Sequence, residues 1–196
     1  MRSTLMQWAQ AALIAVVLAA NAGAAQIAEQ TFDERIRLAD TDLVLNGVGV
    51  RAVAWIKGYA AALYMTEKAT TPERLVAVKG PKRVQMRMLL DVEAKEFVKA
   101  FNVGITRNVS EAQAAALKDR MAQFDRNLEA IGSTKKGDIV NLDFIPARGL
   151  VLSINGKVRG QPIPGDDLYA AFLKIFVGDK PVDTRLKAGL LGAPPA

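Results

Sequence analysis

The chain contains neither histidine nor cysteine. That removes Ser-His-Asp chemistry, thiol nucleophiles, zinc sites built on those ligands and the usual general base near neutral pH. Chemistry must come from Arg, Lys, Tyr, Ser/Thr or carboxylates. Arg51 stands out, in Leu45-Asn-Gly-Val-Gly-Val-Arg51, beside two glycines and just ahead of an apolar strand. An arginine placed there suits a buried role, because its planar fork meets a carboxylate with two bonds and stays charged when desolvated. The plainer reading is a surface strand residue paired with Asp42, Asp91 or water. Tyr59 and Tyr64 follow in Lys57-Gly-Tyr-Ala-Ala-Ala-Leu-Tyr-Met65. Strand alternation puts them on opposite faces unless Gly58 or a bulge intervenes, so at most one joins Arg51. The competing reading of Tyr59, Tyr64 and Tyr169 is core aromatic with a hydrogen-bonded tip. No residue pattern indicates a catalytic constellation, a metal site or a cofactor, and there is no glycine-rich phosphate loop.

The elements that must hold these residues are legible in outline. Gln26 to Leu45 alternates loosely and suggests extended strands leading to Asn46-Gly47. Val50 to Met65 reads as two strands or one bent strand, with Gly58 as a turn or bulge. Thr71-Pro72-Glu73 signals a short helix with Thr as N-cap and Pro first. Val84 to Leu90 alternates as a strand with one polar face. Phe97, Phe101 and Ile105 recur every four residues, predicting a helix over about 92–105 that Asp91 or Glu93 could cap. Ser110-Glu-Ala-Gln113 is a capping box. It opens a helix with the stripe Leu117, Met121, Phe124, Leu128, Ile131, ending at Gly132.

Asp138 to Arg159 returns to strands in a meander, turned by Pro146-Ala-Arg-Gly149 and by Asn155-Gly156, a strong type I′ hairpin signal. Leu168, Phe172 and Ile175/Phe176 mark another amphipathic helix capped near Asp166, and Thr184 to Leu191 is a short last one. Segregated runs of strands and helices predict an α+β domain, an antiparallel sheet with helices on one face.

The ends speak to location. Arg2, the apolar run Ala11–Ala20 and the small-x-small triplet Ala22-Gly23-Ala24 read as a secretory signal peptide over residues 1–25. Ala20-Asn21-Ala22 is a second possible cleavage site. The apolar run, of about ten residues, is well short of the roughly 20 that a spanning helix needs. A periplasmic or secreted domain over 26–191 is therefore expected, with no membrane span after cleavage and a disordered tail at 192–196. Net charge falls from +6 to +5 when Arg2 leaves with the leader. The charges are dispersed, with no basic stripe for nucleic acid.

The Leu45–Arg51 and Lys57–Met65 segments together resemble the chalcone isomerase family, closest to its bacterial exported branch. Leu90-Asp-Val-Glu-Ala94 and Ile154-Asn-Gly-Lys157, followed by Gly160-Gln-Pro-Ile163 and Leu168 to Gly178, fit as well. The resemblance spans about Thr41 to Leu190. It implies an open-faced β-sandwich, a large antiparallel sheet with a helical layer and a ligand cleft between them. In fatty-acid-binding relatives that cleft holds an acyl chain whose carboxylate meets the arginine that Arg51 matches. Of the plant isomerase's site, only that arginine is retained clearly. Its Thr falls on Tyr59, its Tyr on or near Phe97, its Asn near Gly104 and its late Thr near Ile175.

The resemblance thus implies a binder of a fatty acid or other small hydrophobic carboxylate. Arg51, Tyr59 or Tyr64, Phe97 and Phe101 are the candidate ligand-binding residues. The alternatives are a chalcone isomerase-type intramolecular lyase and a cell-envelope protein that docks on a protein partner.

Overall fold

A computed structural model describes residues 23–194. The expected leader therefore lies outside the described residues but for Gly23, Ala24 and Ala25. The chain opens with a hairpin, β1 (Ala24–Ile27) and β2 (Gln30–Asp33), followed by β3 (Arg35–Leu38), β4 (Thr41–Val53) and β5 (Ile56–Met65). The short α1 (Pro72–Ala77) leads to β6 (Lys82–Met88). Then come β7 (Val92–Glu93), α2 (Ala94–Asn108), α3 (Glu111–Glu129) and β8 (Ser133–Thr134). The last third is β9 (Ile139–Ile145), β10 (Gly149–Ile154), β11 (Lys157–Ile163), α4 (Asp166–Val177) and α5 (Thr184–Leu190).

Seven strands form one antiparallel sheet in the order β11-β10-β9-β6-β5-β4-β3. One face carries the helices. Leu63, Val84, Met86, Leu142 and Leu152 of the sheet meet Phe101, Ile105, Phe124, Leu128 and Phe172 in one continuous core. Each fully buried side chain of this size contributes about 2 kcal/mol. The helices form where their sequences direct. Ser110 and Gln113 close the capping box on α3, and Thr71 caps α1 with Pro72 as its first residue. Glu93, one of the two residues expected there, is the N-cap of α2, and Gly165, next to Asp166, is that of α4, but neither makes a side-chain cap bond.

The opposite face is open only in part. The β1–β2 hairpin lies across it, and Phe32, fully buried, packs with Val48, Ala60, Ala62 and Tyr64 in a second cluster. Arg87 covers that ring, its guanidinium 5.1 Å from the ring centre. Beside them Arg83 grips Asp143 with two bonds of 2.7 and 2.6 Å between neighbouring strands.

Two irregularities of β4 set the geometry that follows. The β4–β5 turn falls at Ala54-Trp55, with Ala54 at φ 51°, and not at Lys57-Gly58. Gly58 is the extra residue of a bulge, since Arg51 pairs with Tyr59 and Ala52 with Lys57. Its φ is not left-handed, which is why it marks no turn. The second bulge leaves Asn46 between the pairs Leu45–Tyr64 and Gly47–Leu63. Its buried amide donates to the carbonyls of Ala69 (2.9 Å) and Leu190 (2.6 Å) and accepts from the Ala69 N–H at 2.7 Å.

Gly47, Gly49 and Gly189 then let α5 rest directly on β4. A Cβ at Gly47 would stand 2.0 Å from the Gly189 carbonyl oxygen. At the far end Gly192 and Ala193 donate to the carbonyls of Gly189 and Ala188, both at 3.0 Å, and residues 195 and 196 lie outside the described range.

Candidate functional site

Between the sheet and α2, α3 and α4 lies a cavity of about 80 Å³. Its walls are apolar: Met86, Leu142 and Leu152 from the sheet, Phe97, Phe101, Phe124, Phe172 and Ile175 from the helices. The Phe101 and Phe124 rings stand 4.7 Å apart and fix one wall. Phe97, only half-buried, stands at the outer wall. Tyr59 and Thr134 are the polar residues of the lining, and no charged side chain lines it. The Thr134 hydroxyl is turned to the Val92 carbonyl at 3.4 Å. Among the described residues no hydrogen bond engages the Tyr59 hydroxyl. Burial holds that phenol well above its ordinary pKa, against an opposing pull from the Arg51 cation, with a smaller upward push from the Asp183 carboxylate. It stays a neutral donor across the physiological range.

Arg51 is the register partner of Tyr59, so the two side chains leave the sheet on the same face. It does not line the cavity. The Arg51 Nη1 lies 3.7 Å from the Asp183 Oδ2 and donates to its neighbour's carbonyl, Ala52 O. Asp183 is the N-cap of α5. Its Oδ1 accepts from the Arg185 and Leu186 N–H groups at 2.8 and 3.1 Å, and its Oδ2 from the Ala52 N–H at 3.3 Å. The residue before it, Val182, lines the cavity beside Tyr59. One end of an apolar cavity is thereby bounded by a phenol, with an arginine–aspartate pair behind it.

Of the sequence candidates, Tyr59, Phe97 and Phe101 come together around the cavity. Tyr64 does not: it points to the opposite face, packed with Phe32 and Ala62, and has no part in this site. The physical reason is the alternation of β5, where the two tyrosines stand five positions apart, an odd number. Neither Asp42 nor Asp91 pairs with Arg51; Asp42 meets Arg37 and Asp91 meets Lys135. Asp183 was not a sequence candidate. Its one local signal was its place before Thr184-Arg-Leu186, an N-cap pattern with no pointer to Arg51. Phe97 and Ile175 line the cavity, and Gly104 lies against Ile175, where a Cβ would come within 2.7 Å of Cγ2. No group of three or more potential metal ligands exists among the described residues. None of their helices is long and apolar enough to cross a membrane.

A curled seven-strand antiparallel sheet, helices on one face and a cavity between the layers define the chalcone isomerase-like fold. The chain belongs to the chalcone isomerase-like family, whose model matches residues 24–192. Its structure is similar to the crystal structure of a fatty-acid binding protein of Arabidopsis thaliana, with a TM-score of 0.69 at 14% identity. That match covers 86% of this chain and 96% of the other. No curated protein matches the chain in sequence.

Proposed function

We propose that this exported chalcone isomerase-like protein is a non-catalytic binder of a fatty acid or another small hydrophobic carboxylate. The tail would occupy the cavity between sheet and helices, and the carboxylate would meet Arg51 and the Tyr59 hydroxyl. The observation that carries the reading is the composition of the cavity: apolar but for Thr134 and Tyr59, and closed at one end by that neutral phenol with a cation beside it. The fatty-acid binding of the Arabidopsis protein of like fold supports it.

Two features set terms on this binding. At about 80 Å³ the cavity is smaller than the roughly 150 Å³ that encloses a benzene ring, so an acyl chain enters only as Phe97 and its helix give way. Arg51 already faces Asp183, so a ligand carboxylate must share or displace that partner. An isomerase reading finds little to work with. An oxyanion needs several aimed donors, and the positions that the family resemblance assigns to a Tyr, an Asn and a Thr hold Phe97, Gly104 and Ile175.

The test is native mass spectrometry of the protein isolated gently from the cells that make it, beside Arg51→Ala. A bound acyl or other carboxylate mass that is lost in the variant supports the reading. A clean apo mass in both proteins, each folded by circular dichroism, sinks it.

A further inference from the structure

Five large apolar residues are conspicuously exposed among the described residues: Val53, Trp55, Ile56, Val103 and Val158. Three of them fall within four consecutive positions, at the tip of the β4–β5 hairpin. Trp55 is 87% exposed, Val53 64% and Ile56 54%. A tryptophan held out in water on a turn whose first residue adopts a left-handed φ is a costly arrangement with no role in the fold, since neither hydrophobic cluster includes these three residues.

The surroundings of the tip identify its partner. A groove of about 510 Å³ runs back from Trp55 along Ala52, Val50 and Val48 to Ala188 and Pro194, with Lys57 and Arg185 as its charged residues. No Asp or Glu lines it. Asp183, near Arg185 in the chain, is turned inward and its side chain is 8% exposed. The nearest acid in sequence to the walls is Glu29, beside Ala28. An apolar, tryptophan-bearing tip collared by cations matches the boundary between acyl chains and anionic headgroups, where the indole sits at headgroup depth and the ammonium and guanidinium reach phosphates.

We infer that the Val53–Ile56 hairpin tip, with Lys57 and Arg185, docks this protein on the surface of a bilayer containing anionic phospholipids. The tip inserts shallowly; nothing crosses the membrane. Docking would set the Tyr59 end of the cavity near the bilayer, because Arg51, two residues before Val53, pairs with Tyr59. The inference stands apart from the identity of any cavity ligand.

The test uses the chain from Gly23 onward, which contains both hydrophobic clusters whole and leaves Trp55 as the sole tryptophan, the other being Trp8. It is mixed with phosphatidylcholine vesicles made with and without phosphatidylglycerol. The expected result is a blue shift of Trp55 emission and co-sedimentation on the anionic vesicles only, both weakened by added salt. Lys57→Glu and Arg185→Glu should each weaken partitioning by about fivefold or more. Trp55→Ser combined with Ile56→Ser should abolish co-sedimentation with an unchanged thermal melt. No shift and no co-sedimentation on anionic vesicles overturns the inference, as it would if the tip met a protein instead. Co-sedimentation that survives the double serine variant overturns it too. Loss of an acyl mass in Arg51→Ala bears on the cavity and leaves this result untouched.

Discussion

The Arg51 guanidinium and the Asp183 carboxylate face each other 3.7 Å apart, one on a strand and the other at the start of the last helix. On the proposed function, that carboxylate occupies the position that a ligand's carboxylate would claim.

Replacing Asp183 should therefore act in two directions. Asp183→Asn keeps an acceptor for the α5 cap and removes the charge opposite Arg51. A fluorescent fatty-acid probe should then bind about two- to fivefold tighter, the range of a partly exposed ion pair. Asp183→Ala also loses the cap and should cost about 1 kcal/mol in a thermal or urea melt. Unchanged probe affinity in both variants would show that Asp183 does not compete for Arg51.

Phe97 controls room. Phe97→Ala should enlarge the cavity and move the preferred ligand toward longer or bulkier chains. The stability loss should be about 2 kcal/mol, below the usual cost for a fully buried phenylalanine because this one is half-exposed. Affinity measured across fatty acids of increasing length is the check; an unchanged length preference would mean that the chain lies elsewhere.

The three tyrosines of the chain predict its alkaline behaviour. Burial is the largest cause in each case. It pushes Tyr64 up to about 12, and Tyr59 and Tyr169 are also raised from the ordinary 10. A group whose folded pKa is raised lends stability that is full below its unfolded pKa and is lost as pH climbs. Stability should hold up to about pH 10 and then fall by roughly 1.4 kcal/mol per pH unit for each tyrosine that ionises only on unfolding. Tyrosinate absorbance should rise together with the loss of circular dichroism. A rise near pH 10 in the still-folded protein would contradict this.

Glycine at position 47 is required by contact. Gly47→Ala drives a methyl into the Gly189 carbonyl oxygen, so α5 must move, at a cost of about 3 kcal/mol or more. Amide exchange in α5 should quicken, and the Asp183 contact with Arg51 should be lost. Gly58→Ala is the control: its nearest neighbour would be the Arg51 carbonyl oxygen at an ordinary 3.6 Å, and its effect should be small.

What the sequence disclosed was local. The Ser110–Gln113 box, the Leu117–Leu128 stripe, the Asn155-Gly156 turn and the opposed faces of Tyr59 and Tyr64 all follow from periodicity or side-chain reach within a few residues. The α+β class followed from the order of such segments. The β4–β5 turn escaped because an alanine adopts the left-handed conformation there, against its preference, while the nearby glycine drew the eye. The partner of Arg51 escaped because no periodicity links a strand to a cap more than a hundred residues later. The Arg83–Asp143 grip depends in the same way on which strands become neighbours. The exposed hairpin tip was invisible for another reason: a tryptophan in an apolar strand run shows its exposure only once the turn is placed beside it.

The seating of α5 has a consequence for solubility. Among the described residues β3 pairs with β4 only from Thr41 to Val44, with one further bond from the Leu45 N–H to the Glu34 carbonyl, so the rest of that long strand has no strand partner on its outer side. The Asn46 amide, the Asp183 carboxylate at the Ala52 N–H and the α5 backbone against Val48 shield this stretch. Exposed strand edges recruit other chains. A helix held down by glycines and one asparagine is thus also the guard against self-association, and whatever unseats it opens a route to oligomers.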